Sequence, residues 1–198
     1  MIEYFGYITT MSWRAAIALE ELELEYRFSS VNIGAGEQFE PEHTARNPQQ
    51  KVPVIIDHDP ADAGDPITVF ESGAILFYLA EKTGKLMPRG SRERAEFLTW
   101  FFWIVSSYGE ALSLPGATFH TDPKYRLFDK TDYGASTYER FTNASVAAHA
   151  RLDERLENRD FICGDYSIID IAAIGSTVPL LLHGVEDISQ FPNLERWY

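Results

Sequence analysis

Two short segments bring together groups from which chemistry can be built. The first is Glu71-Ser72, where a β-branched run, Ile67–Phe70, meets a helical one, Ser72–Thr83. A hydroxyl and the first N–H groups of a helix make a seat for a carboxylate, because those N–H groups lack intrahelical partners and lie at the positive end. A neighbouring glutamate accepts from an ammonium, so a molecule with adjacent carboxylate and ammonium fits both residues. The same pair also reads as an N-cap with a favourable first-turn charge. The second segment is Val52-Pro53, at the entry to a strand running to Asp57. An X-Pro bond loses most of the trans preference, so a cis peptide suits this tight entry. Such a bend leaves the Val52 N–H and C=O facing a cleft, where an extended peptide can pair as an added strand. An ordinary edge-strand proline carries the same signature.

Composition narrows what those groups can serve. The 198 residues include 17 Lys+Arg and 30 Asp+Glu, a net charge of −13. That balance argues against nucleic acid, whose phosphates need a basic footprint, and against an anionic lipid surface. Any anionic ligand must be met by a few local donors. One cysteine, Cys163, excludes an intrachain disulfide, and five scattered histidines with no Cys-x-x-Cys give no metal spacing. The N-terminus has an acid at its third residue and no basic leader region. The longest uncharged apolar runs, Phe97–Gly109 and Ile171–Val185, are too short to span a bilayer. The expectation is a cytoplasmic protein.

The elements that must position these groups follow from periodicity. Ile2–Ile8 reads as a strand; Ser12 reads as the N-cap of a helix with apolar positions 15, 18, 19 and 22 on one stripe. Tyr26–Ile33, Val52–Asp57 and Ile67–Phe70 read as further strands, with a polar loop between the second and third. Ser72–Thr83 is a helix closed by Gly84. This β-α-β, loop, β-β-α order is a thioredoxin-like α/β domain over residues 1–84. Residues 85–90, with Pro88 and Gly90, read as a linker. Residues 91–198 read as an all-α helical-bundle domain. It has a helix over Arg92–Ala111, an irregular stretch over Leu114–Gly134, and a long helix over Ser136–Leu156. That helix carries Tyr138, Phe141, Ser145, Ala148, Leu152 and Leu156 on one face. Ser167-x-x-Asp170 reads as a capping box that opens a core helix and has no chemistry of its own.

Three segments converge on one family. They are Asn47-Pro48-Gln49-Gln50-Lys51-Val52-Pro53-Val54-Ile55, then Phe70-Glu71-Ser72-Gly73-Ala74-Ile75-Leu76-Phe77-Tyr78-Leu79-Ala80-Glu81-Lys82, and Gly164-Asp165-Tyr166-Ser167-Ile168-Ile169-Asp170-Ile171-Ala172. Over essentially its whole length the chain resembles the cytosolic glutathione transferases. Gly36-Glu37-Gln38-Phe39 and Asp57-His58-Asp59-Pro60-Ala61-Asp62 resemble the bacterial nu-class and disulfide-bond-reductase branch of that family.

The resemblance implies a homodimer that uses glutathione, with no metal, to reduce a small disulfide. Conjugation of an electrophile or peroxide reduction would be side activities. It implies that Glu71 and Ser72 hold the γ-glutamyl end, that Val52 beside Pro53 pairs with the peptide, and that Gln38 and Lys51 serve the glycyl end. Arg140 matches an arginine that the family aims into the cleft from its helical domain. The thiolate is the nucleophile, and a free thiol near pKa ~8.5 is scarcely ionised at neutral pH. A hydroxyl donor at a helix N-terminus is therefore needed to stabilise it. In the family that residue lies five positions before a basic one in the first helix, which with Arg14 places it at Thr9; Thr10 and Ser12 are the alternatives. The nu pattern continues with Pro, Asn and Gly where this chain has Thr10, Met11 and Ser12. The run also resembles the zeta class, whose Ser-Ser-Cys-Ser-Trp-Arg has Met11 here at its cysteine, so a glutathione-dependent cis–trans isomerase is an alternative. A glutathione-fold binding or regulatory protein without turnover is another. Cys163 is expected to be a structural thiol, so both reducing sulfurs would come from glutathione. Relatives continue past the position of Tyr198, which implies a further C-terminal tail.

Overall fold

The computed structural model describes residues 1–113, 130–177, 185 and 187–198, with the backbone alone over 130–138. The chain divides into two compact units, Met1–Arg89 and Gly90–Tyr198.

The first unit is a thioredoxin-like α/β layer structure. Four strands, β1 (Ile2–Gly6), β2 (Tyr26–Ser30), β3 (Val54–Asp57) and β4 (Ile67–Phe70), form one sheet in the order β2-β1-β3-β4. β2 runs parallel to β1, with Ile2 opposite Tyr26; β3 is antiparallel to both β1 and β4, with Tyr4 opposite Ile55 and Ile55 opposite Val69. The parallel pair is joined through helix α1 (Thr10–Glu21), since a crossover is the only route between parallel neighbours. Helix α3 (Ser72–Thr83) follows β4 and ends at Gly84, whose φ of 65° is the left-handed closure that glycine allows. α1 and α3 pack together through Ala15, Ala18, Leu19, Ile75, Leu76, Leu79 and Ala80, all fully buried. A second apolar cluster, of Phe5, Val31 and Val54, gathers Val52, Ile56 and Phe70 around it.

Several boundaries differ from the sequence reading. Thr9, not Ser12, is the N-cap of α1: its Oγ1 accepts from the Ser12 N–H at 3.1 Å. β1 stops at Gly6 rather than Ile8, and β2 at Ser30 rather than Ile33. β3 begins only at Val54. The expected polar loop holds a short 3-10 turn, Glu37–Phe39, and helix α2 (Pro41–Arg46), whose proline sits in the first turn where no N–H is needed.

Among its described residues, the regular structure of the second unit is helical, with turns over 156–167. α4 (Ser91–Trp103) continues into a π segment, Ile104–Tyr108, and then regular helix over 109–113. The stretch expected to be irregular, Leu114–Gly134, lies outside the described residues as far as 129, and its remainder is helical. α5 spans Lys130–Arg155 and so starts six residues before the expected Ser136. Its buried residues beyond 138 are Ser145, His149 and Leu152, with Leu156 just past its end, which places His149 rather than Ala148 on the core face; the Tyr138 side chain lies outside the described residues. α6 (Ile168–Thr177) opens on the anticipated capping box: the Asp170 carboxylate accepts from the Ser167 N–H at 3.1 Å, and Ser167 Oγ accepts from the Ile169 N–H at 3.4 Å. A final short helix, α7 (Pro192–Trp197), is pinned by Asp153, which accepts from the Asn193 and Leu194 N–H groups at 2.7 and 2.9 Å.

Candidate active site

Within the first unit, the N-terminal end of α1 meets the N-terminal end of α3. The placement starts at Gly6, where a Cβ would lie 2.5 Å from Tyr4 Oη. Only glycine leaves that ring room, and the Tyr4 hydroxyl uses the space to donate to the Ser12 carbonyl at 2.8 Å. Burial pushes the Tyr4 hydroxyl up to about 12, so it stays a donor at any ordinary pH. The first turn of α1 is thereby tied to the sheet. Ser12 completes the tie: its Oγ accepts from the Tyr7 N–H at 3.2 Å and from the Thr9 hydroxyl at 2.9 Å.

The three candidate hydroxyls are therefore not equivalent. Ser12 is 1% exposed and occupied as an acceptor inside the fold. Thr9 and Thr10 are half-buried, Thr9 at the cap and Thr10 at the first helical position. Thr9 Oγ1 receives the Ser12 N–H and spends its own proton on a neutral partner, Ser12 Oγ. A thiolate would compete well for that proton, because hydrogen bonds to charged acceptors are the stronger ones.

Ser72 lies at the first position of α3 and is 8% exposed. Its Oγ accepts from the Arg14 guanidinium at 3.0 Å and donates to Met11 Sδ at 3.8 Å. Arg14 is itself buried, 3% exposed, and burial pushes it down to about 10, well above neutrality. It remains a cation beneath the helix end. Glu71 precedes it with φ 70° and ψ 118°, a conformation that an L residue adopts only under strain. Its side chain is exposed and makes no capping bond to α3. The carboxylate is thus left exposed and without a capping bond to the helix it precedes.

The Val52–Pro53 peptide is cis. Just before it, the Lys51 carbonyl is held by two side chains one helical turn apart: His43 Nε2 donates at 3.0 Å and Asn47 Nδ2 at 2.9 Å. Among the described residues, no backbone hydrogen bond uses the Val52 N–H or carbonyl. Lys51 is exposed, and Gln38, in the 3-10 turn leading to α2, is half-buried with a buried, unpartnered Oε1.

The first unit thus links Thr9, Thr10, Met11 and Ser12 to Ser72 and Glu71 through Arg14, and links Lys51 and Val52 to α2 through His43 and Asn47. Arg140 is exposed on α5, in the second unit. Cys163 also lies in the second unit, where burial pushes its thiol up despite the Arg155 guanidinium 3.7 Å away. Among the described residues no group of side chains could hold a metal ion, and no helix is long and apolar enough to cross a membrane.

In the sequence Arg14 serves only as a point to count from, and His43, Asn47 and Met11 have no assigned role. The signals were present. Arg14 stands four residues before Ala18, on the apolar stripe of α1, where an exposed arginine has no place. His43 and Asn47 are four apart and so share a helical face.

Comparison with known proteins follows the same lines. The family described as "Glutathione S-transferase, N-terminal domain" matches residues 1–81. The Escherichia coli disulfide-bond oxidoreductase YfcG is 37% identical over 199 residues, which cover all of this chain and 88% of that protein. A glutathione transferase from Burkholderia graminis, solved with two glutathione molecules per subunit, has a TM-score of 0.89 at 32% identity, over 99% of this chain and 81% of its own. A glutathione transferase from Pseudomonas putida, solved with one glutathione disulfide per subunit, has a TM-score of 0.87 at 28% identity, over 99% and 84%.

Proposed function

Because the chain belongs to the glutathione S-transferase family, we propose that its first unit binds glutathione and that the bound thiolate reduces small disulfides. The observation that carries the reading is the junction at Ser72: a hydroxyl at a helix N-terminus, backed by a buried arginine, beside an exposed glutamate that makes no capping bond. Those groups suit the carboxylate and ammonium of a γ-glutamyl end. The free Val52 backbone suits an extended tripeptide, with Gln38 and Lys51 towards its glycyl end. Arg140, in the second unit, is a further candidate by the family resemblance alone. Thr9 donates to the sulfur; Ser12 is spent inside the fold.

The reaction balances without a protein cysteine. The glutathione thiolate attacks one sulfur of the substrate disulfide, forming a mixed disulfide and expelling a thiolate that takes up a proton. A second glutathione thiolate attacks the glutathione sulfur of the mixed disulfide, giving glutathione disulfide and a second thiol. Relatives solved with two glutathione molecules, or with glutathione disulfide, support this reading. The same reading makes the protein a nu-like, cytoplasmic homodimer.

The test is turnover of 2-hydroxyethyl disulfide by the purified chain with reduced glutathione, with glutathione disulfide and the released thiol quantified by mass spectrometry. The expected result is one glutathione disulfide per disulfide reduced. Glutathione binding without turnover would make this a binding protein. Isomerisation of a cis-dicarboxylic alkene without disulfide turnover would make it a zeta-like enzyme.

A further inference from the structure

We propose that Arg14 is a positioning residue that sets the hydrogen-bond polarity of Ser72 and thereby makes the α3 end select a carboxylate. The inference rests on the reading of that end as the γ-glutamyl seat and assigns its specificity to a residue that never touches the ligand. A serine hydroxyl both donates and accepts, so Ser72 alone would take an amide or an amine as readily as a carboxylate. Arg14 removes that ambiguity. Its guanidinium can only donate, and it donates into Ser72 Oγ at 3.0 Å from a position 58 residues earlier in the chain. The Ser72 proton is then directed outward, at an acceptor.

In the structure that acceptor is Met11 Sδ at 3.8 Å. A thioether is a weak acceptor, so the proton is held loosely and is surrendered to any oxygen anion that arrives. The Arg14 charge lies behind the hydroxyl, 3% exposed, where solvent screens it little. It favours an anion and disfavours an ammonium at the same place. This chain carries a net −13, and the local cation that an anionic ligand requires is supplied from inside the fold.

The experiment compares two ligands on five proteins by calorimetry: glutathione, and γ-aminobutyryl-cysteinylglycine, which keeps the amine and lacks only the α-carboxylate. The proteins are wild type, Arg14→Met, Arg14→Lys, Ser72→Ala and the Arg14→Met/Ser72→Ala double variant, each with its thermal transition recorded. The readout is the ratio of the two dissociation constants, which a loss of folded protein does not change. Wild type should prefer glutathione by about tenfold or more, the size expected for a hydrogen bond to a charged group. Arg14→Met should bring the ratio close to one, Arg14→Lys should restore part of it, and Arg14→Met should reduce it no further in the Ser72→Ala background. A wild-type ratio in Arg14→Met overturns the inference and leaves the seat intact. Full additivity in the double variant overturns the route through Ser72. A wild-type ratio near one overturns the γ-glutamyl reading itself.

Discussion

Thr9→Ala removes two things at once, and the structure allows them to be separated. The first is a helix cap: Oγ1 accepts from the Ser12 N–H, and losing an N-cap of this kind costs about 1 kcal/mol, or about 2–4 °C in Tm for a chain of this size. The second is the donor proposed for the glutathione sulfur. A hydrogen bond to a charged acceptor contributes ~1.5–3 kcal/mol, but Thr9 must give up its bond to Ser12 Oγ, a neutral pair that contributes ~1 kcal/mol. The exchange therefore nets roughly 0.5–2 kcal/mol, about one pKa unit on the bound thiol. Thr9→Ala should raise that pKa by about one unit, lower single-turnover disulfide reduction near neutrality by about tenfold, and leave glutathione affinity nearly unchanged. Thr9→Ser keeps both functions. Thr9→Asp keeps the cap, since aspartate is a good N-cap, but has no proton to give; it should hold the Tm and lose the activity. The assay is the pH profile of single-turnover reduction, paired with thermal unfolding. A Thr9→Asp enzyme with wild-type activity refutes the reasoning, and so does an unmoved profile in Thr9→Ala. If Ser12→Ala, which loses the partner of the Tyr7 N–H, shifts the profile instead, the active hydroxyl is Ser12.

Three further outcomes are expected. Glu71→Gln should weaken glutathione binding about tenfold with little change in stability, whereas Glu71→Gly, which relieves φ 70°, should raise stability by about 1 kcal/mol while losing the same affinity; calorimetry and urea titration read the two effects. Asp57 is fully buried, and its carboxylate accepts from Lys82 Nζ at 2.7 Å, the Tyr78 hydroxyl at 2.7 Å and the Asp59 N–H at 3.0 Å. Burial alone would raise its pKa, but those donors outweigh it and hold the group below the ordinary carboxylate value. Its stabilisation is therefore complete above about pH 4–5 and lost as the pH falls through the folded value, so Asp57→Asn should cost about 2–3 kcal/mol at pH 7 and flatten the acid arm of the stability curve. Asp170→Ala, which strands the Ile162 and Ser167 N–H groups and Trp197 Nε1, should cost about 3 kcal/mol and change the Trp197 fluorescence.

What was legible in the sequence had a local cause. β4 and α3 are bounded as expected because Ile67–Phe70 is β-rich and Gly84 supplies a left-handed stop. The Ser167/Asp170 box is a complete signal within four residues. Ser12 reads as the N-cap because it stands just before the apolar stripe, yet Thr9 holds that place; two hydroxyls three apart carry the same local signal, and Tyr4 and Tyr7, from the strand side, decide by engaging Ser12. α2 was missed because, among its six residues, only His43 is buried, which leaves no apolar period to detect. Helix α5 starts ahead of its apolar face, in a stretch whose Gly134 argues for a break. In the candidate site, the residues proposed to meet glutathione come from local motifs. Those behind them were not, because the pairing of Arg14 with Ser72 spans 58 positions and no local pattern encodes it.

The depth at which Arg14 sits has a kinetic consequence. Ligand and protein are both anionic at neutral pH, so at low ionic strength an approaching glutathione meets long-range repulsion from a chain of charge −13. Added salt shortens the Debye length from about 30 Å at 0.01 M to about 8 Å at 0.15 M and removes most of that repulsion. The attraction from a guanidinium 3% exposed beneath Ser72 is scarcely screened over the same range. Association should therefore quicken with salt while dissociation holds steady, which is the reverse of what a basic surface patch gives an anionic ligand.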